Sequence, residues 1–187
     1  DTDSLDGGCT TEVLFHLIQN LPQEIEVGQA RLVRLWPFAR QRTRGNAAVA
    51  VELMTNNEPS LLEFLHQFWN DAILPLKGKV QVSHHSDREQ FPSDPGMVWF
   101  TEIETNDLLY KKGLRQEVLI DELPTPTKSW GGHGRIGATL AVYWPAETST
   151  FEGIAWRMPD SCGNRNVDAK AVNLVDKMDS TFLCRDD

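Results

Sequence analysis

Three aspartates, Asp1, Asp3 and Asp6, fall within the first six residues, and the pair Gly7-Gly8 follows at once. Next come Cys9, Thr10 and Thr11, then a helical pattern in which Val13, Leu14, Leu17, Ile18 and Leu21 share one face. Carboxylates beside a glycine turn at a helix start suit a Mg²⁺-nucleotide site. The acids hold a hard cation, and the N–H groups of the first helical turn hold a phosphate. The same residue types are ordinary loop and capping residues, so the stretch also fits a solvated acidic loop with Thr10 or Thr11 as N-cap. The P-loop pattern GxxxxGK[ST] is absent, because Gly7-Gly8-Cys9-Thr10-Thr11 has no lysine. A phosphate bound here must meet its charge in a metal and in distant arginines.

Such arginines exist. From Val27 to Val51 there is no acidic residue, and five arginines stand there: Arg31, Arg34, Arg40, Arg42 and Arg44. Arg42-Thr43-Arg44-Gly45-Asn46 directly precedes an apolar run, and arginine donates in bidentate fashion to phosphate oxygens. A surface loop with solvated arginines is the competing reading. A third motif is Gly131-Gly132-His133-Gly134-Arg135-Ile136-Gly137-Ala138, where four glycines in seven positions allow a backbone to approach a ligand closely. Pro124 and Pro126 precede it instead of a strand, so it is a weak dinucleotide fingerprint and equally a flexible connector. Trp156-Arg157 ends a predicted strand, where an arginine serves a ligand or a salt bridge.

Other groups carry less. His84 and His85 are adjacent, and neighbours on a strand point to opposite faces, which is poor geometry for a shared metal. Cys9 with His133 as its base would make a nucleophile, but a small buried thiol explains Cys9 as well. The tryptophans read as core, apart from Trp130, which is placed in a loop as a candidate stacking platform.

The elements that must position these residues alternate helix and strand. A helix is predicted over Thr11–Leu21, a strand over Ala30–Trp36, a basic loop over Arg40–Asn46 and a strand over Ala47–Met54. That last strand is almost continuously apolar, which suggests burial on both faces. Pro59–Ile73 reads as a helix, with Pro59 in its first turn. Ser83–Pro95 is polar and proline-containing, a loop and a candidate boundary. A strand over Gly96–Thr101 and a helix over Glu104–Lys112 follow; Gln116–Leu123 suits either state. Pro124–Gly132 reads as a second loop. Ile136–Trp144 is strand by composition, but its glycine-rich entry suits a helix start. Thr150–Arg157 reads as strand and Val167–Met178 as helix. The result is a mixed α/β chain in two halves, divided near residues 85–95 and written as 1–90 and 91–187. A loop like that at residues 1–8 normally follows a strand, so a strand before Asp1 is expected.

Length and composition set bounds. The chain has 187 residues, 40% hydrophobic content and a net charge of −9, enough for a core and against a nucleic-acid binder by charge alone. Three cysteines at unrelated spacings, with no CxxC pair, support neither a disulfide framework nor a zinc ribbon, and a reducing cytosol is the simplest setting. No apolar run reaches the roughly 18 residues of a membrane span, and no signal-peptide pattern is present. The expected localisation is cytoplasmic, with no membrane partner.

Taken together, these segments resemble the archaeal-type isoleucine-tRNA 2-agmatinylcytidine synthetase family. Asp1-Thr2-Asp3-Ser4 and Gly7-Gly8-Cys9-Thr10-Thr11 match the family's opening in spacing. Ala30-Arg31-Leu32-Val33-Arg34-Leu35 matches its next strand, and Arg42-Thr43-Arg44-Gly45-Asn46 its Lys-Thr-Arg-Gly-Asn turn. Gly96-Met97-Val98-Trp99-Phe100, Gly134-Arg135-Ile136-Gly137-Ala138 and Phe151-Glu152-Gly153-Ile154-Ala155-Trp156-Arg157 resemble later family segments, in order. The resemblance implies a kinase-like ATP/Mg²⁺ region in residues 1–90 and a ferredoxin-like, agmatine-binding region in residues 91–187. It also implies an enzyme that uses ATP to activate C2 of an anticodon cytidine and couples agmatine there. Asp1 and Asp3 would hold Mg²⁺, and Thr10 matches a threonine that the family phosphorylates on itself. Gly7, Gly8, Thr11, Arg42, Arg44 and Asn46 would meet the nucleotide. Gly134, Arg135, Gly137 and Arg157 would line the substrate pocket.

Two departures qualify the implied substrate. The cysteines of the family's tRNA-gripping zinc ribbon are absent from these residues, as is its OB-fold domain, and Arg42 stands where the family has lysine. The rival readings are a stand-alone ATP-dependent enzyme acting on a small amine or other acceptor without tRNA, and a non-catalytic nucleotide-binding module.

Overall fold

The computed structural model describes residues 2–4, 7–43, 45–79, 91–103 and 107–144. The strand expected over Thr150–Arg157, the helix over Val167–Met178, His84-His85 and most of the loop Ser83–Pro95 lie outside them. The described elements are mixed helix and strand, an α/β fold. In order they are α1 (Thr10–Asn20), β1 (Glu26–Arg34), β2 (Ala47–Met54), α2 (Glu58–Phe68), β3 (Gly96–Trp99), α3 (Asp107–Gly113), β4 (Lys128–Gly131) and α4 (Gly134–Val142). One π turn, Trp69–Ile73, extends α2.

Most elements form where periodicity places them. α1 starts one residue early, and Leu17 is the buried member of its apolar face. α2 is capped by Asn57, whose side chain accepts from the Ser60 N–H at 3.2 Å, and Pro59 occupies its first turn. β1 and β2 pair antiparallel, from Glu26↔Met54 to Arg34↔Ala47. β1 begins four residues before its predicted start because a bulge between Val27 and Ala30 interrupts the apolar alternation that marks a strand.

β2 coincides with its prediction, and apolar groups meet both its faces: Ala48 and Ala50 join one core, Val51 and Leu53 pack against another. Its pairing with β1 is antiparallel. Most of its residues are only half-buried, since a cavity runs along the strand.

Three elements differ from expectation. Gln116–Leu123 carries one 3-10 turn, Ile120–Glu122. Within the loop predicted over Pro124–Gly132, Lys128–Gly131 forms β4 and pairs with β3. Ile136–Trp144 is helical from Gly134 to Val142: its tight glycine entry turns the chain, and Leu140 and Ala141 then face the core.

Two apolar clusters result. Val33, Leu35, Ala48, Leu140, Ala141, Tyr143 and Trp144 belong to the first, with Leu109, Tyr110 and Val118. Leu17, Ile25, Leu61, Leu65, Phe68, Trp69, Ile73 and Trp130 form the second. Each draws on residues from both sides of position 90. Trp130 is thus a core residue, 7% exposed, and its indole N–H donates to His66 Nδ1 at 3.1 Å. It offers no ring to a ligand, which corrects its placement in a loop. Among the described residues no helix is long and apolar enough to cross a membrane.

Candidate active site

The entry loop closes on itself before α1 begins. The Ser4 N–H donates to the Gly7 carbonyl at 2.9 Å, and the Gly7 N–H returns to Ser4 at 3.4 Å. Gly7 and Gly8 then take φ of 123° and 76°, so the chain reverses into the helix. Gly8 has no room for a side chain: a Cβ would lie 2.6 Å from the Thr2 carbonyl oxygen. Cys9 is the N-cap residue of α1 and gives the helix no side-chain cap. Its thiol is half-buried, with Sγ 3.3 Å from Thr11 Oγ1.

This reversal places Thr10 against Thr2. Thr2 is buried, and its hydroxyl lies 3.2 Å from that of Thr10. Both line a cavity of about 890 Å³ bounded by α1, β2, β3, α4 and the loops between them. Asp3 is half-buried in the same loop but does not line the cavity; nor do Gly7, Gly8 and Thr11. Asp1 lies outside the described residues. Among the described residues no three His, Cys, Asp or Glu side chains converge as a metal site would.

The arginine loop, residues 35–46, forms the cavity's second wall. Asn46 adopts φ 42°, a left-handed conformation that asparagine tolerates. Its side-chain amide donates to the Trp36 carbonyl at 2.5 Å, and its own carbonyl accepts from the Leu35 N–H at 2.9 Å. Arg34 Nη1 donates to the Gly45 carbonyl at 3.0 Å, across the base of the loop. Arg40, Thr43 and Asn46 line the cavity; Arg42 does not, and donates to the Ala39 carbonyl at 3.3 Å. Arg44 lies outside the described residues.

The glycine run forms the third wall, and it is fixed in place. The Asp94 carboxylate accepts from the His133 N–H at 2.7 Å, and the Asp94 carbonyl accepts from Gly134 at 2.8 Å. Burial works against the Asp94 charge, but the His133 N–H and Lys77, whose Nζ is 3.1 Å away, hold its pKa below the ordinary carboxylate range. A Cβ on Gly134 would collide with the Gly96 nitrogen. Close packing of β3 against the start of α4 therefore accounts for this glycine without a ligand. Gly134 and Gly137 line the main cavity with His133. Arg135 turns to a smaller one of about 250 Å³, with Ser129 and Thr139. Arg157 lies outside the described residues.

Two lining groups, Glu117 and Asp121, carry no motif and join the cavity only through tertiary folding. Thr2 and Thr43 also line it, and each had a signal: Thr2 its place inside the Asp-Thr-Asp-Ser opening, Thr43 its place inside the Arg-Thr-Arg-Gly-Asn turn.

Against known proteins, a model of the TiaS TCKD domain matches residues 1–59, and one of the TiaS FLD domain matches residues 132–186. TiaS of Pyrobaculum neutrophilum, an isoleucine-tRNA 2-agmatinylcytidine synthetase, is 37% identical over 169 residues, 86% of this chain. The chain belongs to the TiaS family. Proteins of the same name from Acidilobus saccharovorans and Pyrococcus horikoshii are 32% and 30% identical, over 88% and 95% of the chain. The chain spans 37%, 38% and 42% of these three TiaS relatives, about two fifths of their length. No solved structure matches it.

Proposed function

We propose that this chain is the ATP-dependent catalytic region of an isoleucine-tRNA 2-agmatinylcytidine synthetase, joining agmatine to C2 of the anticodon cytidine. The observation that carries the reading is a shared cavity. Thr10, Asn46, Gly134 and Gly137, taken from three separate family motifs, line one space. A volume of about 890 Å³ suits a nucleotide or a nucleoside with its partner.

In this reading Thr10 presents its hydroxyl at the cavity wall, and Gly7 and Gly8 set the backbone of the turn before it. The N–H groups at the start of α1 would meet the nucleotide phosphates, where the helix end favours negative charge. Arg42, Arg44 and Asn46 add donors from the arginine loop. Asp3, with Asp1, would hold Mg²⁺. Magnesium keeps several waters and takes only one or two carboxylates besides the phosphates, so two aspartates would suffice for it. When bound, Mg-ATP supplies an activated phosphoryl group for the C2 oxygen, a poor leaving group until it is esterified. Gly134, Arg135 and Gly137 belong to the acceptor side, which takes the cytidine and agmatine. The solvated, non-membrane setting of tRNA accords with the reading.

The test is turnover of γ-labelled ATP with Mg²⁺, with and without tRNA and agmatine. Turnover that needs tRNA, with agmatine recovered on it, is expected. Turnover indifferent to tRNA would replace this reading with a small-acceptor enzyme, and ATP bound without turnover under any condition would leave a nucleotide-binding module.

A further inference from the structure

We infer that the turn Trp36–Ala39, on the rim of the cavity, is a stacking platform for one base of a single-stranded RNA, and that Phe38 is the ring that receives it. Phe38 is 64% exposed. The turn that carries it is held in place. Pro37 sets the second position of a turn that closes with the Ala39 N–H on the Trp36 carbonyl at 3.4 Å. Trp36 is anchored on both sides: its N–H donates to the Gly113 carbonyl at 2.9 Å, and its carbonyl accepts from Asn46 at 2.5 Å. Its ring meets Phe38 edge-on, with centroids 5.9 Å apart at 68°. Phe38 is braced against Trp36 and the rest of its ring stands in solvent.

Position separates this ring from the nucleotide space. Trp36, Ala39 and Arg40 line the cavity, and Phe38 between them does not. A molecule held wholly inside would not reach it. A strand with its reacting nucleotide inside and its neighbour outside would cross it. Charge selects a polyanion: in a chain of net −9, residues 27–51 contain five arginines and no acid. Arg34, at the end of β1, and Arg40 on this loop are exposed. Acids also stand nearby: the Glu117 carboxylate accepts from the Arg40 backbone N–H, Asp121 lines the cavity, and Glu52 pairs with Arg31. Every base presents a π face, so such a platform contributes affinity without reading sequence.

The inference rests on the proposed RNA substrate for the choice of polymer. Its test therefore omits ATP and agmatine, so that failure of catalysis and failure of contact are read apart. The probe is a fluorescent oligouridine of about 12 nucleotides, with weakly self-stacked bases, followed by anisotropy. Phe38→Ala is expected to weaken binding about five- to hundredfold. Phe38→Leu, apolar but without a π face, should behave like Phe38→Ala, and Phe38→Trp should retain the affinity. Arg40→Gln should lower the slope of log K against log salt by about 0.7. A duplex of the same length should be indifferent to Phe38→Ala, because its bases are already stacked. Melting curves of the Phe38 variants should overlay that of the wild type, since the ring is mostly in solvent. Failure of the wild-type chain to bind the oligouridine, equal affinity of Phe38→Ala, or equal losses on single strand and duplex would each overturn the assignment. A Phe38→Ala variant that loses ATP affinity while keeping RNA affinity would give the ring to the nucleotide instead.

Discussion

Gly8 and Asp94 fix the two chain reversals on which the cavity depends, and both are testable singly. Gly8→Ala adds a Cβ 2.6 Å from the Thr2 carbonyl at a φ of 76°. A loss of about 1–3 kcal/mol in urea unfolding is expected, together with displacement of Thr10 from Thr2. Asp94 holds the glycine run through charge. Its folded pKa is lowered, so its contribution is fully present above the unfolded value, about 3.9, and is lost as pH falls through the folded value. Asp94→Asn should therefore cost about 1–2 kcal/mol at neutral pH, and the gap to wild type should narrow in urea melts as pH falls below the unfolded value. A gap independent of pH would show that shape, not charge, holds the run. Thr10→Val should remove any label the protein takes up from γ-labelled ATP. Label that persists in the variant would deny Thr10 the acceptor role.

Elements with a strong period were legible: α1 and β2 lie within a residue of their predicted bounds, and α2 does once the π turn Trp69–Ile73 is counted with it, because each carries a regular apolar pattern. Where tertiary contact decides, the sequence is silent. β4 is four residues, Lys-Ser-Trp-Gly, too short to alternate, and exists because β3 pairs with it. Trp130 reads as available for the same reason and is buried instead. Gly28 and Gln29 mask the first turn of the β1 ladder, since the bulge breaks its period. The legible part of α2 allows a graded check of what holds a helix here. Leu61 is fully buried in the second apolar cluster, so Leu61→Ala should cost about 2–5 kcal/mol. Asn57 only satisfies one N–H, at Ser60, so Asn57→Ala should cost about 1 kcal/mol. Chemical denaturation of both variants measures the contrast, and similar losses would mean that α2 is held by its ends rather than by its buried face.

Family membership was legible because several motifs recur in order, a signal no single loop carries. The cavity was not, because its walls come from segments far apart in the chain and from residues such as Glu117 and Asp121 that belong to no motif. The nucleotide reading is therefore best tested on the whole molecule. A ligand that binds only the folded chain raises stability by RT ln(1 + [L]/Kd), about 2.7 kcal/mol at a hundredfold excess over Kd. For a chain of this size that is a rise in Tm of roughly 5–10 °C. Mg-ATP is expected to produce it, ATP with chelator to produce much less, and Asp3→Ala to lose most of it while melting close to the wild type when no nucleotide is added. If Asp3 instead serves only the entry loop, its removal lowers Tm with and without nucleotide by the same amount, and the Mg-ATP shift survives. A shift that does not depend on Mg²⁺ in the wild type would move nucleotide recognition to the arginine loop alone, because only a metal bridge couples the acidic turn to the phosphates.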